Sequence, residues 1–442
     1  MRRYNSLYFS YISTSEALRL VAHAAGALAA GTAFRHGDAI ERFESQWKAR
    51  FGCPYALGFP SARSALYSLL KAHGVGSGHE VILTGFTCVA VPDAVLYTGA
   101  TPVYADIDPT SYTMRTDEVK TLFSGRTRAV VIQHTYGIPA DVVAITELAR
   151  RRGIFVIEDS ALALGSAPGN KQLGHHGDAA VFSFELSKTI SAGWGGLAQI
   201  NRENDIDPIP QLEQIRKTAG ILDRLSASRR LCQAGLSRFL YSPTVIRLGA
   251  YLLAALFKLG LFRRSAECRG SIGNPPEKFL AAQSGGHWRV LSSQLQRLDK
   301  AVQHSNQVTK LYSGILEERG IDQANPIRNS NGACLIRFPL QVRRPDRAIE
   351  FFGRRGIELG RWFDYPISER PVELSTYHYT IGQCPVAEQI SQHVINLPVN
   401  SRISPNDVDR ACTTLNRFLD CYPDEVDFIA RSPLAATELS TR

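Results

Sequence analysis

From residue 55 to about 200, short apolar runs alternate with stretches whose apolar positions recur every three or four residues. EVILTG, TPVYADI, RAVVIQHTYG, IFVIEDSAL and AAVFSFELS predict buried strands, because few polar residues interrupt them. SARSALYSLLKAHG, AVPDAVLYTG and DVVAITELARRRG predict the helices between them. That alternation, with β-branched strand cores, predicts an α/β domain: a mostly parallel sheet sandwiched by helices. Ligands of such sheets bind beyond the carboxyl ends of the strands, so residues that follow strands are the candidates for chemistry. GVGSGHEV precedes a strand and opens no helix, which excludes it as a dinucleotide fingerprint.

Beyond residue 275 the pattern changes. LQRLDKAVQHSNQVTKLYSGILEERG reads as a long amphipathic helix and ACLIRFPLQV as a strand. DRAIEFFGRRGIELG reads as a helix closed by glycine, and SPNDVDRACTTLNRFLDCY as a helix with a serine cap. The expected organisation is an N-terminal helical arm (1–35), a large α/β domain (36–210), an inserted segment (211–274), a smaller C-terminal α+β domain (275–424) and a tail (425–442).

Composition narrows the class. With 44 % hydrophobic and 21 % charged residues in a chain of 442, collagenous and disordered readings are excluded. No charge-free apolar run reaches the ~20 residues a spanning helix needs. The opening MRRYNSLYFSYISTSEALRL is broken by Ser, Thr and Glu, so no signal peptide is expected. Eight scattered cysteines without a C-x-x-C pair predict reduced thiols and a cytoplasmic setting rather than zinc or disulfides. The formal charge of +9 is concentrated: Arg224 to Arg269 holds nine cations against one acid, Glu267. They lie beside an apolar stretch instead of interleaving with aromatics, so no nucleic-acid partner is expected.

Three places carry candidate chemistry. Lys188, in FSFELSKTISAGWGG, follows a buried strand among small residues, where a drier setting lowers an ammonium pKa and makes a Schiff-base nucleophile. The alternative is a solvated loop lysine. Asp159 ends the strand IFVIED at the ligand edge, placed either to hold a proton on a cofactor ring nitrogen or to cap a helix; Glu158 points to the other face. In GFPSARSALYSLL, Ser61, Ala62, Arg63 and Ser64 stand between a strand and a helix, where backbone N–H groups suit a phosphate. Arg63 would add a fork and Ser183 a hydroxyl; simple N-capping is the alternative.

These segments resemble the DegT/DnrJ/EryC1/StrS aminotransferases, pyridoxal-phosphate enzymes of fold type I. The likeness includes HGDAIERFESQWKARFG, Asp106-Ile107-Asp108, HTYGIPAD (134–141), VIEDSALALGS, GDAAVFSFELSK and VINLPVNSRISPNDVD. It implies that Lys188 carries the cofactor and moves the proton between cofactor C4′ and substrate. It also implies that Asp159 pairs with the pyridine nitrogen. Ala62 and Arg63 stand where the family has a Gly-Thr pair cradling the phosphate, and Ser183 matches a phosphate-binding serine. A lysine at 188 separates the chain from the related sugar 3-dehydratases, which carry histidine there. Cys88 replaces an aromatic ring that stacks on the cofactor, and Leu162 replaces Gln or His beside its phenolic oxygen. The N-Y-R-M element that reaches a partner subunit is unrecognisable around Leu280. A homodimer is implied.

Outside these matches, His134 ends a strand near the cofactor edge, to position substrate or to sit satisfied in the core. Arg361 and Trp362 fall where relatives contact substrate. His175 and His176 lack a carboxylate partner, so no metal is expected. The inserted SRFLYSPTVIRLGAYLLAALFKLGLFRR (237–264) is longer than relatives need. Read as a helix over 244–262, it aligns Arg247, Tyr251 and Lys258 on one side of an apolar cylinder. That pattern predicts a helix lying in an anionic membrane interface; a helix buried in a dimer contact is the alternative. The expected function is transfer of an amino group, from glutamate, to a nucleotide- or lipid-linked keto-sugar, in the cytoplasm or on the inner face of its membrane. Rival readings are an enzyme of the same fold acting on a non-sugar or lipid ketone, and a non-catalytic membrane-docked member.

Overall fold

The computed structural model describes residues 12–29, 36–201, 208–240, 251–252, 255–262, 273–324, 332–368, 373–400 and 403–426. Its centre is a seven-stranded sheet of β1 (Tyr55–Phe59), β2 (Glu80–Thr84), β4 (Thr101–Ala105), β5 (Thr127–Gln133), β6 (Phe155–Asp159), β7 (Ala179–Ser183) and β8 (Gly196–Ile200), in the order β1-β8-β7-β6-β5-β2-β4. Pairings from β7 through β4 are parallel, whereas β8 runs antiparallel to β7 and to β1. The remaining pair within the large domain's reach is β3 (Thr87–Cys88), described below.

Helices cover both faces, as two-sided burial of the strands requires. In chain order the helices are α1 (Thr14–Ala29), α2 (His36–Phe51), α3 (Ala62–Ala72), α4 (Ala90–Leu96), α5 (Thr116–Leu122), α6 (Val142–Arg150), α7 (Pro208–Thr218) and α8 (Arg224–Leu240). After them come α9 (Gly285–Leu295), α10 (Leu298–Glu318), α11 (Pro345–Gly353), α12 (Pro385–His393) and α13 (Pro405–Cys421). Val81, Leu83, Val131, Ile157 and Val181 face α3 and the C-terminal part in one core. On the opposite face, Ile82, Val130 and Val156 pack with Ile145 and Ala149 of α6. Further along that face, Ala180, Phe182 and Leu197 meet Phe43 and Trp47 of α2 and Trp288 and Leu291 of α9. So α9, grouped by sequence with the small domain, packs on the large sheet.

The C-terminal part pairs β9 (Arg337–Gln341) with β11 (Val394–Pro398), antiparallel. Ser404 caps α13, accepting from Asp407 N, as its sequence predicts. A short parallel pair, β3 with β10 (Ile367–Ser368), sets Thr87 and Cys88 against Ile367 and Ser368 and joins the two parts. Of the inserted helix, 244–250 and 253–254 lie outside the described residues, Arg247 among them. Its described end stops at Lys258, short of the expected Phe262, because Gly260 takes φ +67 and turns the chain. Among the described residues, no helix is long and apolar enough to cross a membrane.

Candidate active site

Helix α3 begins at the sheet edge. Ser61 accepts from Ser64 N at 3.1 Å and its own N–H bonds Ser64 Oγ at 3.0 Å, a reciprocal cap. Capping is therefore a real role of Ser61. Below it, Gly196 leaves no room for a Cβ, which would collide with the Ser61–Ala62 peptide. Strand register places Gly196 between Phe59 of β1 and Ser183 of β7. The first-turn N–H groups of α3, which have no acceptor within a helix, thus open beside Ser183 with the helix dipole behind them. Ser61, Ala62 and Ser183 share one edge. Arg63 is nearby but committed: its guanidinium lies 3.2 Å from Asp93 Oδ2, with both side chains buried. The expected fork on a phosphate is thus an ion pair in this structure.

Asp159 ends β6 on the face shared with Ile157, fully enclosed, and accepts from Ala161 N at 3.0 Å. Burial pushes its carboxyl above the ordinary value, while Ala161 N and the charges of Lys188 and His134 pull it back. A buried acid raised by desolvation fits a cationic partner. Lys188 sits in a loop folded on itself: its N–H bonds Glu185 O at 3.1 Å, and Ser187 donates to Glu185 Oε2 at 2.9 Å. Gln294 of α9 brackets the same loop through Ser191 N and O. Burial holds the Lys188 ammonium below the usual lysine value, and the Arg337 charge lowers it further. Glu185, Cys88 and Asp159 oppose that shift. The structure does not leave Lys188 solvated; it is 8 % exposed.

Trp362 completes the wall, with Lys188 Nζ 5.5 Å from its ring centroid. Its backbone is pinned by Asn396 Oδ1, which accepts from Trp362 N at 2.7 Å, and by the Tyr136 hydroxyl donating to its carbonyl. Cys88, half-buried at the β3–β10 junction, presents no ring. Leu162 is buried in the core that backs this face.

Two expected substrate residues go elsewhere. His134 is wholly buried on the other face of the sheet. Its Nε2 lies 2.9 Å from Glu158 Oε2, and its Nδ1 accepts from Ala140 N. Glu158 also takes Gly174 N and Gly177 N, so the pair is a satisfied core network. Arg361 donates to the Ser391 and Gln392 carbonyls, closing the C-terminal end of α12. Sequence reading missed Arg337. A cation inside the apolar run ACLIRFPLQV was its signal. His175 Nε2 lies 2.9 Å from the Phe51 carbonyl, an ordinary structural contact.

A sequence profile of the DegT/DnrJ/EryC1/StrS aminotransferase family matches residues 18–218 and 289–416. The chain belongs to that family. It is 25 % identical over 383 residues to UDP-N-acetyl-3-dehydro-alpha-D-glucosamine 3-aminotransferase of Acidithiobacillus ferrooxidans, covering 87 % of this chain and 89 % of that one. It is 38 % identical to GDP-perosamine synthase of Escherichia coli O157:H7 over 165 residues, 37 % of this chain and 45 % of the relative. A solved Helicobacter pylori aminotransferase of pseudoaminic acid biosynthesis has the same fold, with a TM-score of 0.69 at 19 % identity over 93 % of this chain and 99 % of that one. Aminotransferases of this family use pyridoxal phosphate. The residues present fit it: an anion edge at α3, a buried acid, and a buried amine within reach of that acid's charge.

Proposed function

We propose that this protein transfers an amino group from glutamate to the ketone of a nucleotide- or lipid-linked sugar, acting as a homodimer docked on an anionic membrane surface inside the cell. The observation that carries the chemistry is that Lys188 and Asp159 are both buried at the carboxyl ends of neighbouring parallel strands, β6 and β7, where each charge favours the charged form of the other. Bound at this edge, pyridoxal phosphate would supply the electron sink. The α3 N-terminus and Ser183 would hold its phosphate, and Asp159 would keep its ring nitrogen protonated. Lys188, with its ammonium disfavoured by burial, is an amine that takes and returns the proton at the substrate carbon. Trp362 screens that amine from water. Sugar-nucleotide substrates in the names of the relatives support a keto-sugar acceptor.

Docking is supported by the surface of the insertion. Leu225 is 70 % and Leu259 71 % exposed, and Ile221, Leu236, Phe239 and Leu261 are exposed with them. Arg224 and Lys258, next in sequence to Leu225 and Leu259, are exposed as well. Exposed apolar side chains with cations beside them in sequence suit a leaflet of anionic lipid, at about 1 kcal/mol per cation.

Two measurements test the reading. Cofactor-loaded protein with glutamate should release 2-oxoglutarate, and Lys188→Ala should abolish both that release and the visible absorbance of the bound cofactor. Absence of release from the wild type sinks the donor reading. In flotation, the protein should rise with anionic vesicles and stay down with neutral ones; sedimentation with both sinks the docking.

A further inference from the structure

Helix α8 lies between the two stretches that match the family profile, and its two sides do different things. Leu225, Arg229, Cys232, Leu236 and Phe239 recur at steps of four, three, four and three, so they form one stripe along the helix. Leu225, Leu236 and Phe239 of that stripe are exposed. Arg229 donates to the Gly260 carbonyl at 3.2 Å, which brings the exposed Leu259 and Leu261 beside it.

The other side grips loop 184–195, which carries Lys188. Ala234 stands about two and a half turns from Leu225, on the opposite side of the helix. Ala234 and Leu231 share one core with Phe184, Ile190 and Ala192 of the loop. A Cβ on Gly193 would lie 2.5 Å from the Ala234 Cβ, so loop backbone and helix meet without slack. The Arg230 guanidinium carbon lies 4.5 Å from the ring centroid of the buried Trp194. One helix, about 10–12 Å across, thus separates the exposed stripe from the lysine loop. A ligand that binds the seated helix holds the loop's packing in place, and linkage makes the effect reciprocal. Nine cations against one acid over Arg224 to Arg269 select an anionic leaflet as that ligand.

We propose that α8 couples membrane binding to the lysine site: contact of an anionic leaflet with the Leu225–Phe239 stripe steadies the Lys188 loop and so tightens the hold on pyridoxal phosphate. The proposal rests on the reading that the insertion docks on a membrane.

The test uses the full chain with vesicles of mixed phosphatidylglycerol and phosphatidylcholine, and with pure phosphatidylcholine vesicles as the neutral control. Equilibrium dialysis gives the Kd of pyridoxal phosphate with each vesicle, and flotation gives the vesicle affinity of cofactor-loaded and cofactor-free protein. Anionic vesicles should lower the cofactor Kd by about fivefold or more, and cofactor should tighten vesicle binding by the same factor. Ala234→Gly combined with Arg230→Gln loosens the inner side and keeps the stripe, so it should still float and lose both effects. Where the double variant fails to fold, Ala234→Gly alone carries the comparison. A wild type that floats with an unchanged cofactor Kd overturns the coupling and leaves docking intact. A wild type that stays down with anionic vesicles overturns docking, and the coupling with it. Full coupling in the loosened variant overturns the proposal as well, since the effect then bypasses α8.

Discussion

A Cβ built on Gly193 would stand 2.5 Å from the Cβ of Ala234, so the loop carrying Lys188 and helix α8 meet with no room for a methyl group. Gly193 also has φ +82, a region costly for any side chain. Helix α8 is in turn seated on α1, where a Cβ on Gly235 would lie 2.7 Å from the Ala17 carbonyl. The inserted region therefore buttresses the lysine loop as well as presenting an apolar surface.

Gly193→Ala is accordingly expected to lower stability by about 1–3 kcal/mol through overpacking and to speed loss of pyridoxal phosphate on dialysis. Ala234→Gly relieves the contact, and should keep the cofactor while losing about 0.5–1 kcal/mol of helix stability. Chemical denaturation and cofactor retention measure both. Unchanged behaviour of Gly193→Ala would show that the loop does not depend on this contact.

Asp159 makes a prediction whose sign differs with and without cofactor. In the ligand-free protein its pKa is raised, chiefly by burial. The stability it contributes is present below the ordinary aspartate value and is lost as pH rises through the raised one. Asp159→Asn should thus stabilise ligand-free protein at neutral pH. With cofactor, the same substitution should shrink the rise in Tm that pyridoxal phosphate produces and cut transamination by on the order of a hundredfold or more. An asparagine variant as active as wild type would remove Asp159 from its role.

The Arg63–Asp93 pair separates two uses of Arg63. Asp93 also accepts from the Tyr377 hydroxyl at 2.9 Å, so the pair ties α3 and α4 to the C-terminal part. Breaking a buried pair from one side leaves a bare charge, and Asp93→Asn or Arg63→Met is expected to cost about 3–5 kcal/mol in urea denaturation. The affinity for pyridoxal phosphate should fall little in Arg63→Met once folded protein is selected. A large, selective loss of cofactor would return Arg63 to the phosphate.

The strands of the large domain were legible because two-sided burial leaves uninterrupted apolar runs, as in EVILT and FVIED. The strand GLAQI (β8) was not: a Gly and a Gln interrupt its five residues, and only pairing reveals it and its antiparallel direction against β7 and β1. Side-chain period alone put Glu158 on the face opposite Asp159. The partnership of Glu158 with His134 needed the register of β5 on β6, which sets Gln133 beside Asp159. Lys188, Asp159 and Ser183 stood out in the sequence because each lies at or just after a strand end. Arg361 misled because its acceptors, the last carbonyls of α12, lie about thirty residues away in sequence.

Glu358 supplies a pH signature outside the active site. It lies between the buried Ile357 and Leu359, and burial alone pushes its carboxyl up to about 8. At pH 7 the group is therefore mostly protonated in the folded chain and ionised in the unfolded one. A raised carboxyl contributes stability below its unfolded value and loses it as pH rises through the folded one. Wild-type Tm should accordingly decline as pH climbs from about 4.5 to about 8 and level off above that. Glu358→Gln, which keeps the shape and cannot ionise, should flatten that decline and leave Tm near pH 4 almost unchanged. Parallel Tm–pH curves for the two proteins would show that the carboxyl at 358 titrates as a solvated one.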